Sequence, residues 1–229
     1  MGTTVFAIAV TLVAYLGVRW LYLRYRHPLL NVVGLGAGVI IAVLVICHIP
    51  YSEYVPAKNI MTVLLGPATV GLAVPLYRHR WLLRRFGAAI IGSVALGAFL
   101  AMMIASVIAK LGGLPADVVM SIVPKGVSIP FAVEIAKIYN GIPALSAAFV
   151  VATGTFGSLV GGWLLNLTGI QNPVARGLAL GTVSHGQGTA TALMEGEQQG
   201  AMAGLAMILA GILTALFAPL AVWLLGLIG

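Results

Sequence analysis

The chain reads as a succession of apolar runs of membrane length separated by short polar connections. Residues 3–23 form the first run, closed by Arg19, Arg24, Arg26 and His27, with Trp20, Tyr22 and Tyr25 as interfacial anchors. A second covers 29–49. A third, 59–77, is interrupted at Gly66-Pro67 and again near Gly71 and Pro75. After the basic cluster Arg78, His79, Arg80, Arg84 and Arg85 comes a fourth run, 87–109. The fifth, 118–135, is short and contains the stretch PKGVSIP. The sixth is 142–167, the seventh holds the stretch 176–204, and the eighth is 201–228. Long unbroken apolar runs are the opposite of the alternating ten-residue segments of a β-barrel. The pattern predicts an all-α polytopic membrane protein, one domain over 1–229. It has about eight membrane segments, interrupted at three, five and seven.

If all eight cross, the loops after spans one, three, five and seven share one face. Arg19, Arg24, Arg26, Arg78, Arg80, Arg84, Arg85 and Lys137 fall there, against Lys58, Lys110 and Arg176 on the other. The positive-inside rule then places both termini outside the cytoplasm. Segment five is the weak point, because a re-entrant path there reverses everything after it. A shift of 57 residues aligns Pro67 with Pro124, Gly97 with Gly154, Phe99 with Phe156 and Gly112 with Gly169. Segments seven and eight form a looser third copy, with Gly181 and Gly211 placed 57 beyond Pro124 and Gly154. Internal repetition of this kind is a transporter feature; shared membrane composition is its rival.

Between Gly181 and Thr191 the seventh segment turns polar, with Thr182, Ser184, His185, Gln187, Thr189 and Thr191 among three glycines. Backbone freed by a break costs several kcal/mol in lipid unless satisfied, so such segments line cavities or pack on protein. The plainer alternative is a Gly-rich helix with hydroxyls bonded back to its own carbonyls. Segment five is chemically similar. Lys125 sits between Pro124 and Gly126, with Ser128 and Pro130 beyond. An ammonium at that depth is a functional hypothesis by default, unless the segment is shallow and the lysine snorkels. Broken helices also present free N–H groups with partial positive charge. Together these features predict a site for a small anion, most plausibly a carboxylate, built from Lys125, Ser128, His185, Gln187 and Thr189. His185 alone is as readily a packing residue, although an imidazole suits proton coupling. Arg176 and Glu134 are placed at the mouths of their segments, and Glu134 is also a candidate structural partner for Lys125.

Composition narrows the classes. The chain is 61% hydrophobic and only 7% charged, with mean hydropathy +1.09, against about 25% charged in a soluble domain. Its net charge of +7 is 12 basic against 5 acidic residues, the basic ones mostly in two short clusters that orient a membrane protein. Nucleic acid is therefore not an expected partner. A single cysteine, Cys47, supplies no disulfide framework and no metal site. No cofactor is expected. Enzymatic readings fail as well: Ser184 and His185 are neighbours and point apart on a helix, and metalloprotease, hydrolase and Walker motifs do not occur.

The residues then match a known pattern. PKGVSIPFAVEIAKIYNGIPALSAAFVVATGTFGSLVG, followed by NPVARGLALGTVSHGQGTATALMEGEQQGAMAGLAMILAGILTALFAPL, resembles the LrgB/CidB (YohK-like) membrane family. The likeness is close from Pro124 to Leu220 and weaker through LLGPATVGLAVPLY. The family's lysine motif falls on Pro124, Lys125, Ser128 and Pro130, and its histidine motif on Ala175 through Ala190. Gln187 stands where an apolar residue is more usual. The resemblance implies one of two roles in the inner (plasma) membrane. One is transport of small monocarboxylates of the glycolate, glycerate or pyruvate class, as in the related plastid glycolate/glycerate transporter. The other is antiholin-like regulation of murein hydrolase export and autolysis with a small LrgA/CidA-type membrane partner. A homo-oligomer is expected in either case. The two proline-broken segments favour the carrier.

Overall fold

The computed structural model describes residues 2–25, 32–64, 77–78 and 80–227, and every regular element among them is helical. The breaks expected at Gly66-Pro67, Gly71 and Pro75 lie outside the described residues. The chain divides into two compact units, Met1–Val74 and Pro75–Gly229.

In the first unit, α1 (Gly2–Tyr25) packs on α2 (Val32–Ile46) and α3 (Tyr51–Val63). Ala7, Ala14 and Val18 form its buried stripe. The Thr11 hydroxyl lies 3.1 Å from the Tyr54 hydroxyl. Arg24 lies over the Trp20 and Tyr25 rings, the arrangement expected where a span meets the headgroups.

The second unit holds α4 (Arg80–Leu111), α5 (Ala116–Ile122), α6 (Ile129–Ile138), α7 (Pro143–Leu167), α8 (Pro173–Glu195) and α9 (Glu197–Leu227). Local sequence sets their starts. Pro143 and Pro173 open α7 and α8, where a missing N–H costs nothing. Asn172 caps α8, its Oδ1 accepting from the Val174 and Ala175 amides. Small residues let α4 and α9 approach closely: Val94 and Ala98 meet Ala206 and Ala210. Lower in the same interface, Met102 and Ala109 join Ala221 and Leu225, with Val119 and Ile122 of α5.

Among the described residues, four helices are long and apolar enough to cross a bilayer: Gly2–Tyr25, Arg84–Leu111, Pro143–Leu167 and Glu197–Leu227. α2 is apolar but has 15 residues, short of the roughly 20 a span needs. The protein is a multi-pass helical membrane protein.

Segments five and seven are interrupted as expected, and at each break the chain reverses: the re-entrant path left open for segment five is found in both. In an unbroken helix Arg176 and Glu195 would stand about 28 Å apart. They are instead hydrogen-bonded at 2.7 Å through two pairs of atoms. The reversal is at His185, whose φ of 41° and ψ of −124° break α8. Gly188 makes the fold-back feasible, because any Cβ there would strike the Leu180 carbonyl of the opposite arm. Segment five reverses too. The Ile142 amide, just beyond α6, donates to Ser121 Oγ of α5 at 2.7 Å, and Gly141 lies against the Met120–Ser121 backbone. The end of α6 therefore returns beside α5. Pro124 removes the donor that would continue α5, and the chain passes through turns to the extended Ser128 before α6 begins. Each segment is a helical hairpin, with arms 116–127 and 129–138 in the first and 173–184 and 186–195 in the second.

Candidate functional site

The predicted site residues collect at the two hairpin tips. Lys125 and Ser128 belong to the first tip, and His185, Gln187 and Thr189 to the second. Val127 of the first tip packs against Val150 of α7, whose carbonyl meets the His185 ring of the second. Arg176 and Glu134 lie elsewhere, on the arms.

The second tip is seated on α7. Gly154, Gly157 and Gly161 lie on one helix face, and each meets a residue of the first arm or tip: His185, Ser184 and Leu180 respectively. A Cβ at any of the three would overlap its partner. His185 is 5% exposed, and its Nε2 lies 3.0 Å from the Val150 carbonyl oxygen. A carbonyl only accepts, so Nε2 carries the hydrogen and donates it. Thr189 Oγ1 donates back to the His185 carbonyl at 2.8 Å, and Thr191 Oγ1 to the Gln187 carbonyl at 3.2 Å. Both hydroxyls bond back one turn to carbonyls of their own arm. Gly154 is also in reach of the Gln187 side chain, which places Gln187 beside the imidazole.

Three groups at the tips are uncommitted among the described residues. Gln187 Oε1 is buried without a hydrogen-bond partner. Ser128 caps α6 with its backbone while its hydroxyl makes no capping bond. Lys125 is half-buried and makes no ion pair or hydrogen bond. The sequence therefore groups two kinds of residue under one heading. His185 and Thr189 are satisfied by protein; Lys125, Ser128 and Gln187 are open to another partner.

Arg176 is buried at the base of the second hairpin, 7% exposed. Its Nε and Nη2 hold both Glu195 oxygens, and Nη1 donates to Asn166 Oδ1 at 2.8 Å and to the Ile170 carbonyl at 2.9 Å. The guanidinium ties together both arms and the end of α7. Glu134 is exposed and paired with Lys137 at 2.7 Å, so it is not the partner of Lys125. Glu195, Asn166 and the Gly154–Gly157–Gly161 face are absent from the residues singled out by motif. A lone arginine and the first of two closely spaced glutamates bracketing one polar stretch were the available signal for the clamp.

Comparison with known proteins gives a consistent picture. The LrgB-like family model matches residues 11–224. The chain is 35% identical over 217 residues to the uncharacterized protein YxaC of Bacillus subtilis, covering 95% of this chain and 94% of that one. It is 32% identical over 213 residues to YwbG of the same organism, covering 93% and 95%. The holin-like protein CidB of Staphylococcus aureus is 30% identical over 217 residues, 95% of each chain. No solved structure matches.

Proposed function

The chain belongs to the LrgB-like family, and from that premise we propose that it is a holin-like protein of the plasma membrane. It would regulate murein hydrolase export and autolysis together with a small LrgA/CidA-type membrane partner. The name of its CidB relatives supports this reading. The observation that carries it is the packing of the second tip: Ser184, His185 and Thr189 are buried against α7 or bonded within the hairpin. A regulator needs polar faces of this kind to meet protein. The reading takes the whole chain as one non-enzymatic membrane domain acting as a homo-oligomer. Deleting the gene should change the rate of detergent-induced autolysis, and the wild-type gene should restore it. Unaltered autolysis in the deletion strain would overturn the reading.

A second reading rests on a different observation, the three uncommitted groups Lys125, Ser128 and Gln187. A membrane ammonium costs at least ~2.5–3.5 kcal/mol on insertion scales, and a bound carboxylate would offset much of that. On this reading the chain carries small monocarboxylates of the glycolate, glycerate or pyruvate class. Lys125 supplies charge, Ser128 and Gln187 hydrogen-bond the solute, and His185 is available for proton coupling. Labelled glycolate or pyruvate should then enter proteoliposomes of this chain alone, and Lys125→Met should abolish the uptake. Equal uptake by empty and protein-loaded vesicles sinks the carrier reading.

A further inference from the structure

The two hairpins are spaced regularly along the chain. Ala116 and Pro173 begin them, Ile138 and Glu195 end them, and both offsets are 57 residues. Ser128, the last residue before the second arm of the first hairpin, falls on His185, the break of the second. The helices that follow obey the same offset: Pro143–Leu167 falls on 200–224, within α9. Each unit is thus a hairpin followed by one long apolar helix.

A hairpin returns to the face it left, so each unit makes a single crossing and consecutive units must run in opposite senses. α7 joins the base of the first hairpin to the base of the second. Its 25 residues reach about 37 Å, enough to cross a hydrocarbon core of about 30 Å. Side-chain pairs agree with that arrangement. At the end of the helix bundle where the second hairpin begins, Arg78 meets Glu197 and Arg176 meets Glu195. At the opposite end, where α4 gives way to the first hairpin, Lys110 donates to the Leu225 carbonyl at the end of α9.

Each hairpin leans on the middle of the other unit's long helix. Gly154, near the midpoint of α7, receives His185 of the second hairpin; Gly211, its counterpart at the same offset near the midpoint of α9, faces the Phe131 ring of the first. Reciprocal contacts of this kind are what a two-fold axis in the membrane plane generates.

We infer that residues 116–224 form an inverted pair of hairpin–helix units, the hairpins entering the bilayer from opposite faces so that Lys125 and Ser128 of one tip and Gln187 of the other make one mid-depth site for a small carboxylate. The site's ligand class rests on the carrier reading; the inversion does not. Such a site is reached along one hairpin from each face, the requirement for handing a solute across.

Single cysteines in a Cys47→Ser background test this with an impermeant thiol reagent on right-side-out and inverted vesicles. Gly113→Cys and Asn140→Cys flank the first hairpin, and Gln171→Cys and Gln198→Cys the second. The inversion requires 113 and 140 to label from one face and 171 and 198 from the other. Labelling of 113 and 140 from different faces, or of 171 and 198 from different faces, overturns it. Two positions per hairpin, three on exposed loops and Gln198 half-exposed in the first turn of α9, keep the result independent of any one variant's folding. Ser128→Cys then reads the ligand: glycolate at millimolar concentration should slow its modification several-fold while an equal concentration of glycerol does not. Correct sidedness without glycolate protection removes the carboxylate site and the carrier reading and leaves the inversion standing. Protection with wrong sidedness does the reverse.

Discussion

The two hairpins share length and spacing but are held by different forces. The second is closed at its base by a buried guanidinium with four acceptor contacts. It is seated on α7 through glycines and against α9 through Gly177 and Gly181, which touch the Gln199 and Ala203 backbones. The first has no buried ion pair among the described residues. One hydroxyl, Ser121, receives the Ile142 amide and donates to the Asp117 carbonyl at 2.6 Å, and the ion pair on its outer arm is exposed. Its second arm leaves Ile129, Phe131 and Ile138 exposed. The second hairpin is thus the more firmly held, and the first carries Lys125, which makes no ion pair or hydrogen bond among the described residues.

Breaking the clamp should produce the largest effect. Arg176→Leu strands the Glu195 carboxylate and should cost about 3–5 kcal/mol, read as a fall in the thermal midpoint of purified protein. Replacing both residues with apolar ones of similar size should cost much less. If the single and double variants melt alike, the clamp is not what holds the hairpin.

Next in size is the glycine contrast. Gly157→Ala pushes a methyl into Ser184 Oγ and should destabilise by about 1–3 kcal/mol, with partial rescue by Ser184→Ala. Gly211→Ala meets only the Phe131 ring at 3.6 Å and should leave stability unchanged or slightly raised, since alanine is the better helix former. Similar losses at both positions would erase the distinction between the hairpins.

Ser121→Ala removes the acceptor from the Ile142 amide, a loss of about 1–3 kcal/mol if water does not replace it. It should also raise amide exchange at Ile142. Lys137→Ala breaks only the exposed pair with Glu134 and should shift stability by less than about 0.5 kcal/mol. A larger effect there would mean that the first hairpin has a hold the structure does not reveal.

Much of this was legible in the sequence. The apolar runs give α1, α4, α7 and α9 nearly to their ends, and the glycines and prolines mark both breaks. The 57-residue offset was visible in the pairs Pro124 with Gly181 and Gly154 with Gly211. The direction of the chain after each break was not. A kink and a reversal need the same residues, and only the meeting of Arg176 with Glu195, or of Ser121 with Ile142, distinguishes them. The reversal also moves Arg176 to the end of the unit that bears Arg78 and takes Lys137 to the other, correcting the loop assignment made from eight crossings. Site chemistry was half legible. Residue type picked out His185 and Thr189 together with Lys125 and Ser128, but which groups are already satisfied depends on the Val150 carbonyl and the local fold.

The central claim is that the polar segments are hairpins and not spans, and one distance decides it for the second. Spin labels at Gln171→Cys and Gln198→Cys, in a Cys47→Ser background, flank that segment and can be measured by double electron–electron resonance in nanodiscs. A fold-back held by Arg176 and Glu195 predicts a narrow distribution below roughly 25 Å, broadening in Arg176→Leu. A distribution centred near 40 Å, the length of a straight helix of that many residues, would contradict the account.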